Sequence, residues 1–157
     1  MECLNLISRS SFVEKRIGYL GITQLFHEKS DILMMATHRM RQDIESNSQY
    51  VQATALQAFA QIATSDMCEA IGPDILKLIS KGHDYISKKA CLAGLRVVRK
   101  CPDIIDQFVQ KLEKIFEVKN HGLLLSALAL CIEVMETKPD TREKFEVFIP
   151  ILVIATL

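Results

Sequence analysis

The chain has 157 residues, of which 49% are hydrophobic and 24% charged, and its formal net charge is +0. This neutral balance argues against general affinity for nucleic acid, which depends on clustered positive charge. Pro and Gly are sparse, at 4 and 6 residues, so the composition permits long helices and argues against disorder. We expect one domain with a large apolar core over residues 1–157.

Apolar residues recur at helical spacing along almost the whole chain, separated by short polar breaks. We expect Gly72-Pro73 to interrupt the fifth helix, which would restart at Asp74. The first helix, at residues 2–9, is expected to lack its pairing partner. The predicted helices cover residues 2–9, 11–28, 31–45, 49–63, 66–80, 85–100, 103–118, 121–137 and 140–157.

One pattern recurs in four of these helices and predicts a repeat architecture. Its first apolar positions are separated by 38, 35 and 37 residues, and small or apolar residues follow at the fourth and seventh positions after each. A period of this length with two helices per unit predicts an all-α, superhelical α-solenoid of about four HEAT/armadillo-like repeats. The aligned positions are Val13, Val51, Ile86 and Leu123, then Ile17, Ala55, Ala90 and Ala127, then Leu20, Ala58, Ala93 and Leu130.

The sequence contains no recognisable catalytic or metal-binding motif. The four His residues fall in different repeat units and form no HExxH motif, so we predict no metal site. Gly18 and Gly21 lie within a helical pattern, where glycine is typical of close helix packing rather than of a phosphate-binding loop. The five Cys residues form no CxxC pair and are interpreted as reduced, buried thiols. We therefore predict no enzyme activity and no cofactor.

Two pairs of basic residues suggest a binding surface. Lys15 and Arg16 align with Lys88 and Lys89 in the repeat pattern above. Because stacked repeats bring equivalent positions to one face, the four side chains could form a stripe for acidic lipid headgroups or an acidic partner. The alternative is an ordinary solvated helix edge, because Thr54 and Ser126 interrupt the stripe.

The C-terminal segment, residues 145–157, is apolar on all sides of its predicted helix. It spans about 13 residues and contains Pro150, whereas a membrane-spanning helix needs about 20 residues, so we predict no membrane span. An end repeat that caps a solenoid has a polar outer face. We therefore expect Val147, Ile151 and Ile154 to form an interface with the next repeat of a longer trunk.

Five short segments resemble the early trunk of the clathrin adaptor large subunits, the adaptins. Together they place nearly the whole chain in alignment with that family, and they look most like gamma-adaptin of the trans-Golgi and endosomal adaptor complex. The segments are FVEKRIGYLG (12–21), SDMC (65–68), SKKA (87–90), VRKCP (98–102) and KNHG (119–122).

The resemblance implies a non-enzymatic coat subunit that acts in vesicle-mediated protein transport and cargo sorting. It implies three partner chains, namely a second large chain, a medium chain and a small chain that the trunk cradles. It also implies recruitment of the whole complex by an Arf-type GTPase and phosphoinositides, at cytoplasmic faces of trans-Golgi and endosomal membranes and on clathrin-coated vesicles. The alternative from the repeat pattern alone is another HEAT-type scaffold, such as a nuclear transport receptor or a phosphatase scaffold.

Overall fold

The computed structural model describes residues 1–27, 30, 32–81, 83–116, 118, 120–150 and 153. Within these ranges the chain forms helices and no β-strand, as the sequence predicts. Two short 3-10 turns, Pro102–Ile104 and Pro139–Thr141, precede the seventh and ninth helices. The helices are α1 (Glu2–Ser8), α2 (Phe12–Leu25), α3 (Ile32–Ile44), α4 (Gln49–Ile62), α5 (Ser65–Lys81), α6 (Asp84–Lys100), α7 (Ile105–Ile115), α8 (His121–Thr137) and α9 (Arg142–Glu146).

The helices are arranged in two layers. In one layer α2, α4, α6 and α8 pack side by side in chain order, and in the other α1, α3, α5 and α7 do the same. The layers join through the pairs α1–α2, α3–α4, α5–α6 and α7–α8. This arrangement is an α-solenoid of four helix pairs, so the predicted fold class is confirmed. The prediction that α1 lacks a partner was wrong, because α1 packs along α2.

Small residues allow the helices of the first layer to approach one another closely. Ala55, Ala90 and Ala127 are fully buried on α4, α6 and α8. The apolar positions before and after each alanine are also buried, which confirms the predicted repeat face in these three helices. A methyl side chain costs no rotamer entropy on burial, so it suits a helix contact with little free volume.

The repeat face predicted for α2 was wrong by one residue. Val13, Ile17 and Leu20 are 63%, 55% and 61% exposed, whereas Gly18 and Tyr19 are buried. Gly18 therefore takes the position of the alanines, and Gly18, Ala55, Ala90 and Ala127 are separated by 37, 35 and 37 residues. A shift of one residue turns a helix face by about 100°.

Close contact with α1 fixes this orientation of α2. A Cβ atom placed on Gly18 would lie 2.9 Å from both the Cys3 carbonyl oxygen and the Ile7 amide nitrogen. One placed on Gly21 would lie 2.7 Å from the Cys3 sulfur. The two glycines thus allow α1 and α2 to pack backbone against backbone, as the sequence predicts for helical glycines.

Pro73 lies within α5 and does not end it, contrary to the sequence prediction. Proline removes one backbone N–H and leaves the carbonyl group four residues earlier without its helical donor. That carbonyl belongs to Glu69, and both Glu69 and Pro73 are exposed, so water can satisfy the oxygen. The buried side of the same turn carries Gly72, whose Cα faces Val97 and Ile104 at close range.

The C-terminal segment is less continuous than predicted. Helix α9 ends at Glu146, and a turn follows at Val147 and Phe148. Phe145 and Phe148 pack on Phe116, with ring centroids 6.2 and 5.2 Å from it. Val147 is 75% exposed, whereas Ile151 and Ile154, the other predicted interface residues, lie outside the described residues.

Candidate binding surface on the α2, α4 and α6 layer

Lys15, the first residue of the predicted basic stripe, points into the protein. Its Nζ atom donates hydrogen bonds to the Ile7 carbonyl at 2.7 Å and to both Asp43 carboxylate oxygens at 2.8 Å. The Lys15 and Asp43 side chains are each only 6% exposed. The expectation that Lys15 faces an acidic surface was therefore wrong, because its charge is neutralised by a carboxylate in the core.

Two further residues complete this buried cluster. The Tyr19 hydroxyl donates to Asp43 Oδ2 at 2.8 Å, and Arg39 Nε donates to the Ile7 carbonyl at 3.0 Å. Burial, reinforced by the Asp43 charge, raises the pKa of Tyr19 well above its ordinary value, so the phenol keeps its proton and remains a donor. The cluster joins α1, α2 and α3 and thereby has a structural role.

The one-residue shift in α2 explains why Lys15 is buried while its neighbour Arg16 is exposed. With Gly18 aligned to Ala90, Lys15 is equivalent to buried Ser87 and Arg16 is equivalent to Lys88. The side chain of Lys88 nevertheless lies over the first turn of α8, because a Cβ atom on Gly122 would come within 2.6 Å of its Nζ atom. Lys15 and Lys88 are thus removed from the stripe by different contacts.

Arg16 is exposed beside a cleft between α2 and α4. The cleft has a volume of about 410 Å³. Within the described residues, the Arg16 guanidinium forms no ion pair or hydrogen bond. No aspartate or glutamate lines the cleft, so the positive charge is not neutralised there. The lining residues are Arg16, Tyr19, Leu20, Thr23, Gln24, Thr54, Gln57, Ala58 and Gln61.

Lys89 approaches the same cleft from α6. Its Nζ atom donates to Gln57 Oε1 at 3.2 Å, and Gln57 is one of the lining residues. Arg16 and Lys89 therefore lie on opposite sides of the α4 surface. They are the two members of the predicted stripe that the structure brings to one site.

The profile of the adaptin N-terminal region family matches residues 1–153 of this chain. The chain belongs to the adaptin family. It is 40% identical over 153 residues to the AP-1 complex subunit gamma of Dictyostelium discoideum, covering 98% of this chain and 17% of that protein. It is 33% identical over 153 residues to the human AP-1 complex subunit gamma-like 2, covering 98% and 20%.

A relative from another adaptor complex also matches this chain. The bovine AP-3 complex subunit delta-1 is 33% identical over 136 residues, which cover 87% of this adaptin chain and 11% of the relative. A homology model of the full-length AP-3 complex in an intermediate open conformation shares the fold, with a TM-score of 0.64 at 22% identity. That match covers 99% of this chain and 34% of the other. The chain thus spans about a fifth or less of the length of these curated relatives.

Most thiols of this adaptin chain are buried, and His83 caps a helix. All five cysteines are free, and burial raises the pKa of Cys91 and Cys131 to about 12, so these thiols stay protonated at neutral pH. His83 caps α6 by accepting the Tyr85 amide. Across the described ranges, no three His, Cys, Asp or Glu side chains lie close enough together to hold a metal ion.

Sequence reasoning missed the three glutamines of the cleft, Gln24, Gln57 and Gln61. Gln57 and Gln61 are four residues apart, so the sequence alone could have placed them on one face of α4. Gln24 comes from α2, and its position beside them depends on how closely the two helices approach. The cleft was therefore not predictable from spacing alone.

Proposed function

We propose that this chain is part of the large subunit of a clathrin-associated adaptor complex, serving as a structural scaffold in vesicle-mediated protein transport and cargo sorting. The observation that carries the proposal is the adaptin family match over residues 1–153, on a solenoid built of stacked helix pairs. Solenoids expose long continuous surfaces and are suited to holding several partners at once. The adaptin match favours this reading over a transport receptor or a phosphatase scaffold.

The partners proposed for it are the other subunits of such a complex: a second large chain, a medium chain and a small chain. Several curated relatives are named as subunits of AP-1 or AP-3 complexes, which supports partners of this type. An Arf-type GTPase and a phosphoinositide membrane would be bound by the whole complex. The proposed role requires no catalysis and no cofactor.

The proposed location is the cytoplasmic face of trans-Golgi and endosomal membranes and clathrin-coated vesicles, as a peripheral protein. This placement is supported by the relatives that are named as gamma-type subunits of the AP-1 complex. None of the helices in the described part of the chain has both the length and the apolar character needed to cross a bilayer.

A second surface is proposed near the C-terminal turn. Val147 is 75% exposed, and with Ile151 and Ile154 it would pack against a further trunk repeat in the whole protein. Support comes from the exposed apolar side chain itself and from relatives that are at least five times longer than the matched region.

Co-purification from cells tests the proposed function. The tagged full chain is expressed, and the proteins retained with it are identified by mass spectrometry. We expect a small and a medium adaptor chain among them, at a level that a tagged unrelated solenoid does not reach. Retention of a phosphatase catalytic subunit or a Ran-type GTPase instead would contradict an adaptor role.

A further inference from the structure

We propose that the α2–α4 cleft binds an extended acidic peptide segment. Its volume of about 410 Å³ falls within the roughly 300–1,000 Å³ typical of ligand clefts. Its lining residues include one cation, three primary amides and three hydroxyl-bearing side chains, and no carboxylate.

Arg16 supplies the positive charge of the cleft lining. Arg16 lies at the cleft without a carboxylate partner in the described residues, so its five N–H donors are available to a ligand. A guanidinium binds a carboxylate through two parallel hydrogen bonds, and such charge-assisted contacts are stronger than neutral ones. The site is therefore complementary to an aspartate or glutamate side chain.

The side-chain amides of three glutamines also line the cleft. Lys89 holds the carbonyl end of Gln57, which leaves the NH₂ end of that side chain to donate to another group. Gln24 and Gln61 are exposed and form no side-chain hydrogen bond within the described residues. A primary amide both donates and accepts, so these side chains match the carbonyl and N–H groups of an extended backbone.

The threonine hydroxyl groups of the cleft contribute little to anion binding. Thr23 Oγ1 donates to the Leu20 carbonyl, and Thr54 Oγ1 donates to the Tyr50 carbonyl. Their protons are thus used within α2 and α4, and only acceptor capacity remains. The donors that face the cleft are those of Arg16 and the glutamines.

The same geometry favours a peptide over a membrane surface. Segments that bind anionic lipids typically carry clusters of about 4–8 basic residues. Here Lys15 is buried and Lys88 lies over α8, so only Arg16 and Lys89 remain at the site. A concave cleft lined by one cation, Arg16, with a second, Lys89, bonded to the lining residue Gln57 suits a narrow chain carrying one or two carboxylates.

Fluorescence anisotropy of the full chain tests the proposal. The probe is a short fluorescein-labelled peptide of alternating glutamate and alanine, and a peptide with lysine in place of glutamate is the charge control. Two variants alter the cleft, Arg16→Glu and the near-isosteric Gln61→Glu. Arg142→Glu makes the same charge change as Arg16→Glu on exposed α9, where the described contacts include no ion pair of Arg142. Circular dichroism confirms that each variant is folded.

We expect the acidic probe to bind more tightly than the basic probe, and each cleft variant to weaken its binding roughly tenfold or more. Arg16→Glu removes a charge-assisted contact, and Gln61→Glu places a carboxylate against the acidic probe. Arg142→Glu should leave binding unchanged. Equal losses for Arg16→Glu and Arg142→Glu, or no binding of the acidic probe, would overturn the proposal. So would Arg16-dependent flotation with phosphoinositide-containing phosphatidylcholine vesicles in the absence of peptide binding, since the cleft face would then be a lipid surface.

Discussion

The buried cluster around Asp43 shows how one pair of side chains can set the orientation of a helix. Lys15 and Tyr19 both contact the Asp43 carboxylate from the inward face of α2, four residues apart. A buried ion pair gains little over an apolar pair, but removal of one partner leaves an uncompensated charge in the core. The cluster therefore disfavours any rotation of α2 that would bury Val13 and Ile17 instead.

Replacement of Lys15 tests this directly. We expect Lys15→Met to lower the free energy of unfolding by about 3 kcal/mol, because buried Asp43 would lose its partner at 2.8 Å and keep only Arg39, whose Nε atom lies 3.6 Å from Oδ1. The neighbouring Arg16→Met, at an exposed position, is the matched control and should change stability by less than about 0.5 kcal/mol. Urea denaturation measures both. Similar small effects for the two variants would contradict the buried role of Lys15.

The buried thiols predict a loss of stability at alkaline pH. Burial raises the pKa of Cys91 from 9.0 to about 12, so the unfolded state loses this proton at lower pH than the folded state does. The stabilising contribution is complete below pH 9 and is lost as the pH rises towards 12. We expect the urea midpoint to fall between pH 9 and 11, and to fall less steeply in Cys91→Ala. Parallel pH profiles for the two proteins would exclude this contribution.

At the scale of the helix, the buried repeat face was predictable where the small and apolar residues are compatible with only one buried face. Ala55, Ala90 and Ala127 sit among apolar neighbours at helical spacing, and all three are buried as expected. In α2 two faces were compatible with the pattern, since Val13, Ile17 and Leu20 form an apolar row of their own. Tertiary contacts of Gly18 with α1 and of Lys15 with Asp43 decide between them, and neither is visible in local spacing.

Overpacking at Ala90 tests the repeat face. Ala90→Leu adds three methylene-sized groups at a fully buried contact, and we expect it to destabilise the chain by about 1–3 kcal/mol. Leu92→Ala, two residues away at a position that is 42% exposed, is the control and should have a much smaller effect. Thermal unfolding followed by circular dichroism compares them. An unchanged melting temperature for Ala90→Leu would contradict the packing described for α6.

At the scale of the whole molecule, polar contacts join successive helix pairs. Arg99 forms two hydrogen bonds with Glu133, from Nε at 2.7 Å and from Nη2 at 2.6 Å, and so links α6 to α8. Arg41 Nε lies 2.8 Å from Asp74 Oδ2 and links α3 to α5. These cations are occupied within the solenoid, which is why Arg16 stands out as available. The cleft itself arises only when α2 and α4 come together, so a repeat pattern could predict the solenoid but not this site.

Exposed Val147 gives a prediction about association. Apolar side chains exposed near one another promote self-association in water. We expect the full chain to associate at high concentration and Val147→Lys to reduce its mass by light scattering without loss of helical content. Val118→Lys, at a position that is 41% exposed, provides the control for an added charge. A wild-type chain that is monomeric at high concentration would argue against an interface at this turn.

Direct binding to a small adaptor chain tests the proposed adaptor-scaffold role of this solenoid best. The purified full chain is mixed with a purified small adaptor chain, and the mass of the product is measured by size-exclusion chromatography with light scattering. We predict a single one-to-one complex that survives dilution through the column. Two separate peaks at the masses of the individual proteins would contradict the proposed adaptor role.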